Sequence, residues 1–349
     1  MKISRRHFLA VPALVLSVGA ALSGCGAPAE NAANNTASSN AAGSAGSAPK
    51  SSLKVALLTP GDINDQGWNQ LAYEGLQSVE KETGAQISHQ VTKNAADQQP
   101  ALRDFGDQKV NLVLCHGFEY GDRVKAIAAK YPDTKFVVVG GNVKQDPNVA
   151  TLIPKLEDAT YLLGMVAGGM TKSNVIGLVG GMKLPVVTST FQAYEQGARA
   201  VNPKVKILTN YIGNFEDQNA GKEATNSMIA QGADILFHNA DQAGKGMFNA
   251  AQAKKIYVFG SNRNQNSVAP DVCLASAVIE MPRAFVNLAR DVQDGKFKAD
   301  FIELNLPKKT IMVEWNEQLK SKIPADLIKK VEAAQKQIES GALKIKRNV

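Results

Sequence analysis

Residues equipped for chemistry gather in five short stretches, 59–69, 116–122, 213–217, 239–242 and 261–264. They mix carboxylates and amides with the rings of Trp68, Phe118, Tyr120 and Phe215. Such sets suit the capture of a small solute, because a few placed polar groups and aromatic walls are what a binding cleft needs. They do not suit a reaction centre. No Gly-x-Ser-x-Gly elbow, P-loop or paired metal-ligand motif occurs, and Gly177-Leu178-Val179-Gly180-Gly181 lacks the dinucleotide fingerprint. The histidines (His7, His89, His116, His238) have no ligand spacing, so neither a metal nor another cofactor is expected. Cys115 and Cys273 lie in apolar segments and read as small buried hydrophobes. The expectation is a binding protein and not an enzyme.

Each stretch follows an apolar run that reads as a β-strand. From Leu53 onward such runs alternate with amphipathic segments, the pattern of parallel sheets flanked by helices. A first series reads as strand 53–58, a helix from about 66 to 83 capped by Asp65 and stopped by Gly84, strand 85–91, a helix through Leu102, strand 110–115, helix 122–131 and strand 135–139. After a loop around Pro147, a second series reads as helix 159–171, strand 175–179, helix 188–201, strand 205–211, helix 219–231, strand 234–238, helix 243–253 and strand 255–260. The remainder reads as strand 273–279, helix 282–294, a strand pair between Phe301 and Trp315, and a closing helix 325–340. About 300 residues exceed what one hydrophobic core serves, so the fold class is α/β with two doubly wound parallel-sheet lobes joined by a hinge. The first lobe is expected to comprise 53–152 with about 282–312, and the second 153–281 with about 313–349. In open α/β sheets ligands bind beyond the carboxyl ends of the strands, and all five stretches fall there.

The chain begins with Lys2, Arg5 and Arg6, an apolar run from Phe8 to Leu22, and Ser23-Gly24 before Cys25. This reads as a removable export signal, because the run is broken by Pro12 and is shorter than the ~20 residues of a membrane span. Residues 26–52 are nearly all Ala, Asn, Ser, Gly and Pro, a tether with a reach of roughly 25–30 Å. The formal charge of +7 includes the cations of the signal, and lysines elsewhere are interspersed with acids, so nucleic acid is not an expected partner. Lys344, Lys346 and Arg347 read as a solvated tail.

Leu22-Ser23-Gly24-Cys25 resembles the lipobox of bacterial lipoproteins. That implies signal 1–24, a lipidated Cys25 at the head of the tether 25–52, and a membrane-anchored body facing the periplasm or cell exterior. Ser4-Arg5-Arg6-His7-Phe8-Leu9 is similar to a twin-arginine export signal, with Ala10 where Lys is typical. The body resembles the basic membrane lipoprotein family, the PnrA-like receptors of ABC importers. The likeness is carried by Asp62-Ile63-Asn64-Asp65-Gln66-Gly67-Trp68-Asn69 with Tyr73-Glu74-Gly75, by Tyr131-Pro132-Asp133, by Val201-Asn202-Pro203, and by Gln231-Gly232-Ala233-Asp234-Ile235-Leu236-Phe237-His238. It implies a type I periplasmic-binding-protein fold with three crossover segments, a purine nucleoside or related purine as ligand, and an ABC permease with its ATPase as partners. A monomer is expected.

By position, the resemblance implies that Trp68 and Phe215 sandwich the base, that Asn69 and Asp122 bond its edge, and that Asp241 and Asn262 face it from the second lobe. Glu119 and Tyr120 are adjacent candidates. Each has another reading: Trp68 as a core anchor, Asp122 as a helix N-cap, Asp241 and Asn262 as turn residues, Glu119 and Tyr120 as rim. The chain also departs from the family pattern. Thr59-Pro60 stands where many nucleoside binders carry Asp, Gly260-Ser261-Asn262-Arg263-Asn264 replaces Gly-Val-Asp-Ser-Asp, and Ser276-Ala277-Val278-Ile279 replaces Ser-Met-Val-Lys. The lost charges are natural partners of ribose hydroxyls, which favours a bare nucleobase or another flat heterocycle. The segment 184–189 is similar to a branch associated with adenine-like ligands. A sugar receptor of the same fold, or a ligand sensor for a membrane partner, is the alternative.

Overall fold

A computed structural model describes residues 52–346. The export signal, Cys25 and the tether expected from the sequence lie outside the described residues. Two six-stranded sheets form the body. The first runs in the order β11 (Phe301–Leu304), β5 (Val149–Pro154), β4 (Lys135–Val139), β3 (Leu112–His116), β1 (Lys54–Thr59), β2 (Gln86–Val91), and all its pairings are parallel. The second runs β12 (Ile311–Trp315), β10 (Cys273–Ile279), β9 (Tyr257–Asn262), β8 (Ile235–Asn239), β6 (Val175–Gly180), β7 (Lys206–Tyr211), parallel except for β12 against β10. Central strands such as β3 are buried along their whole length, which is why they read as unbroken apolar runs: helices cover both faces of a parallel sheet.

The chain passes between the sheets three times: from β5 into α4 (Glu157–Met170), from β10 into α8 (Met281–Gln293), and from β11 into β12. Helix α8 returns to pack on α1 (Trp68–Thr83). The strands between Phe301 and Trp315 therefore do not pair with each other, contrary to the sequence reading. β11 extends the first sheet beside β5, and β12 closes the edge of the second. The loop expected around Pro147 gives way at once to strand β5, whose Val149–Leu152 stretch is buried between β4 and β11.

Helix α1 begins at Trp68, two residues later than expected. Its unsatisfied N-terminal amides turn to Asp65, whose carboxylate accepts from Gly67 N (2.9 Å), Asn69 N (2.8 Å) and Gln70 N (3.0 Å). Gly84, at φ 69°, ends the helix in the left-handed conformation and donates its N–H to Glu80.

Helices α4 and α5 (Pro185–Val201) cross so closely that only glycine fits at the contact: a methyl group on Gly197 would strike the Tyr161 carbonyl, and one on Gly164 the Tyr194 carbonyl. Gly197→Ala is expected to destabilise the fold by about 3 kcal/mol through overpacking against rigid backbone. Arg199→Ala, on the exposed side of the same helix, should cost less than about 0.5 kcal/mol. Urea unfolding of the two variants measures the difference.

Candidate functional site

Trp68 opens α1 just beyond the end of β1, and its indole lies on the imidazole of His116, the last residue of β3. The ring centroids are 3.9 Å apart at 27°, a stacked pair. His116 Nε2 stands 2.9 Å from the Trp68 carbonyl oxygen, which can only accept, so this nitrogen carries the proton. Complete burial pushes the His116 pKa down to about 3, against the pull of that carbonyl, and the ring is neutral. Its Nδ1 has no hydrogen-bond partner among the described residues. Phe285 of α8 meets the other side of His116 edge-on at 6.4 Å. The tryptophan platform is thus braced by α8 through His116. Sequence reading set His116 aside for lack of ligand spacing; its position directly after a strand was the signal.

The second lobe meets this platform at Asp241, the first residue of α7 (Asp241–Lys254). Asp241 is buried at φ 45°, and its Oδ1 lies 3.4 Å from both the Trp68 backbone nitrogen and Asn262 Nδ2. Asn262 ends β9 at φ 68° and also reaches Asn239 Oδ1, at 3.4 Å; Asn239 in turn donates to Thr190 Oγ1. Burial, reinforced by the neighbouring Asp65 carboxylate, holds the Asp241 pKa well above the ordinary carboxylate range, while the Trp68 N–H and the Asn262 amide pull it back. A side chain at Gly67 would press on Asp241, with its Cβ 3.1 Å from Oδ1, so glycine permits the approach of the lobes here.

Trp68, Asp241 and Asn262 are therefore brought together. Asn69 is buried beside them, its Nδ2 donating to Asp65 Oδ2 at 2.9 Å and its Oδ1 without a partner. Phe215 is half-buried on the second lobe, where any side chain at Gly181 would strike its ring. The Phe215 carbonyl accepts the Ala243 N–H at 3.0 Å, tying this loop to the start of α7. Both Trp68 and Phe215 pack against the same apolar core.

Three other candidates stand differently. Tyr120 does not rim a cleft: it is fully buried in a separate apolar cluster of the first lobe, with its hydroxyl 2.7 Å from Thr92 Oγ1. Asp122 is exposed in the first turn of α3 (Gly121–Ile127), whose N-terminus has no side-chain cap, so the capping role is not realised. The turn at 118–120 feeds directly into α3 and removes the need for one. Glu119 folds back over Gly117, and burial raises its pKa against the opposing effects of its own backbone and Arg123. Among the described residues no group of His, Cys, Asp and Glu is arranged to hold a metal ion.

A family profile described as ABC transporter substrate-binding protein PnrA-like matches residues 52–348. The ABC transporter nucleoside-binding protein BmpA of Lactococcus lactis subsp. cremoris is 29% identical over 315 residues, 84% of this chain and 86% of the relative. A CD4+ T-cell-stimulating antigen of Listeria monocytogenes is 27% identical and spans 98% of both chains. Among solved structures, an ABC transporter solute-binding protein from Aeropyrum pernix aligns with a TM-score of 0.77 at 21% identity, covering 84% of this chain and 93% of its own. One from Conexibacter woesei aligns at 0.69 and 25% identity, covering 84% and 99%. The two parallel-dominated sheets and their crossovers are the type I periplasmic-binding-protein fold. The chain belongs to the PnrA-like family of ABC transporter substrate-binding proteins.

Proposed function

We propose that the chain is a lipid-anchored receptor that captures a purine, a nucleobase in preference to a nucleoside, between its lobes and presents it to an ABC permease; it catalyses no reaction. The observation that carries this reading is the Trp68 platform, backed by neutral His116 and standing beside Asp241 of the opposite lobe. A purine is a flat ring with donors and acceptors only on its edge, and stacking on an aromatic side chain is worth about 1–3 kcal/mol per base. Asn69 Oδ1 is a buried acceptor with no partner, suited to an amino or ring N–H donor on that edge. Phe215 is the second ring in this reading, with Asn262 and Asp241 completing the edge contacts. The exposed Asp122 and the folded-back Glu119 contribute at most to the rim.

The preference for a base rests on chemistry that the site lacks. Ile279, at the position of the family's lysine, is buried in the apolar core beside Ile311, so no cation stands there to meet a hydroxyl. Asn262 supplies an amide where a carboxylate would grip ribose. The name of the Lactococcus relative supports a nucleobase-containing ligand. Anchoring through Cys25 follows from the lipobox-like signal; among the described residues no helix is long and apolar enough to cross a membrane. Ligand contacts from both lobes favour the closed form by the difference in affinity between closed and open states.

Thermal-shift measurements with adenine, hypoxanthine, adenosine, ribose and galactose test the ligand class, since a ligand that binds only the folded form stabilises it by about 2.7 kcal/mol at a hundredfold excess over Kd. Adenine or hypoxanthine is expected to give the largest rise; a rise with a sugar alone overturns the reading. Trp68→Ala should weaken purine binding at least about tenfold, or 1.4 kcal/mol, whereas Trp68→Phe retains most of it.

The Asp241 carboxyl predicts a pH effect with a definite sign. Its folded-state pKa is raised, so above the ordinary carboxylate range the folded protein binds more protons than the unfolded one. Above the unfolded histidine pKa the stability of the empty protein should therefore fall as pH rises from about 7 to about 8, and Asp241→Asn should flatten that fall. His116 and His238, whose folded pKa values burial lowers to about 3 and about 4, act in the opposite sense at lower pH: the unfolded chain takes up protons that the folded one does not, so their contribution grows as pH rises from about 4 to about 7 and is constant above that. Melting curves of both proteins across the range provide the check.

A further inference from the structure

We propose that Glu74 and Arg263 form a latch that holds the two lobes together without help from the ligand. Arg263 follows Asn262 in the loop after β9 of the second lobe, and Glu74 stands on α1 of the first. Arg263 Nη2 lies 2.6 Å from Glu74 Oε1, with the side chains 24% and 35% exposed. The pair thus sits at the lip of the interface, partly shielded from salt. Gln70 Nε2 donates to the same Glu74 oxygen at 3.1 Å and orients it from within α1.

Two further side chains cross in the same direction, from the second lobe to the segment that leads into α1. Gln265 Nε2 donates to the Gln66 carbonyl at 2.9 Å, and Lys245 Nζ to the Asn64 carbonyl at 2.8 Å. Gln265 is itself braced, its Oε1 accepting from Ser261 N at 2.8 Å and lying 2.9 Å from the Nε2 of buried His238. The latch is therefore mounted on rigid parts of both lobes. None of its members belongs to the set proposed to hold the ring.

The consequence is a population of closed protein before any ligand arrives. Apparent affinity scales with the fraction of protein already in the binding-competent state, so a ligand-free contact between lobes acts on affinity as directly as a ligand contact does. An ion pair one quarter to one third exposed is still weakened by concentrated salt, and adenine carries no net charge at neutral pH, so a salt-dependent affinity for adenine would report the latch and not the ligand.

Full-length protein with Cys25→Ser, labelled for energy transfer at Lys125→Cys and Lys183→Cys, tests this with no ligand present; both lysines are exposed, one on each lobe, and Cys115 and Cys273 are buried. At low salt the wild-type arrangement is expected to show a closed fraction that falls at about 1 M salt. Glu74→Gln and Arg263→Gln should each lower the closed fraction at low salt by about threefold or more, and the double variant no further. Glu74→Arg combined with Arg263→Glu should recover most of it. Lys93→Gln is the control: its pairing with Glu216 also crosses between lobes, but at 3.4 Å with side chains 59% and 64% exposed, and its loss should leave closure unchanged. A salt-independent closed fraction, single variants equal to wild type, or a double variant that loses the sum of both overturns the latch. If the latch behaves as stated while no purine binds, the latch stands and the ligand reading fails.

Discussion

The carboxylate of Asp65 gathers four donors: the backbone N–H groups of Gly67, Asn69 and Gln70 and the side-chain amide of Asn69. The rest of the site depends on that knot. It decides where the first helix starts, because the free amides of a helix N-terminus must find acceptors and Asp65 is buried among them. It decides where Trp68 stands, one residue into the turn that the knot defines, over the imidazole at the end of β3. It also occupies one end of the Asn69 amide, which leaves the other end, Oδ1, as an acceptor with nothing to receive.

The same knot makes closure costly. With the second lobe against α1, Asp241 is buried next to Asp65, and loss of water together with that neighbouring charge makes its carboxyl hold a proton that it would release in open solvent. The structure answers with weak contacts instead of a strong counter-charge: the Trp68 N–H and the Asn262 amide reach Asp241 at long distances, and Lys245, in the field of Asp62 and Asp65, spends its hydrogen bond on the Asn64 carbonyl. A contact balanced in this way opens and closes for small changes in free energy. In the proposed reading, a solute that adds stacking on Trp68 and a donor for Asn69 tips it.

How much of this was legible in the sequence follows from the physics of each part. Buried parallel strands announce themselves as apolar runs, so β1, β3, β4 and β8 were read within two residues, and so was the stop of α1 at Gly84. Strand β5 is hidden because Pro147 just before it reads as a loop, and the expected start of α5 falls late although Pro185 occupies the first helical turn, where proline is at home. The apparent pairing of the strands between Phe301 and Trp315 failed because proximity in sequence says nothing about a chain that changes sheets. For the site, post-strand position nominates Trp68, Asp241 and Asn262, which the fold brings together, but it also nominates Tyr120, which turns inward to Thr92. His116 carries a post-strand position as its only signal, and the pair of Glu74 with Arg263 carries none, since each gains its meaning from a partner far along the chain.

The placement of the latch fits what a receptor needs. An ion pair buried in the middle of the interface would carry a large desolvation cost and, once formed, would leave an unpaired charge on every opening. One in open solvent would contribute almost nothing, as with Lys93 and Glu216. Glu74 and Arg263 lie between these limits, at a lip where water can re-enter both side chains as the lobes part. On the proposed latch, closure is then favoured enough to raise affinity, and opening still releases the solute. The carboxylates at the centre oppose closure, the cation at the edge supports it, and the flat platform between them sets which solute decides the matter.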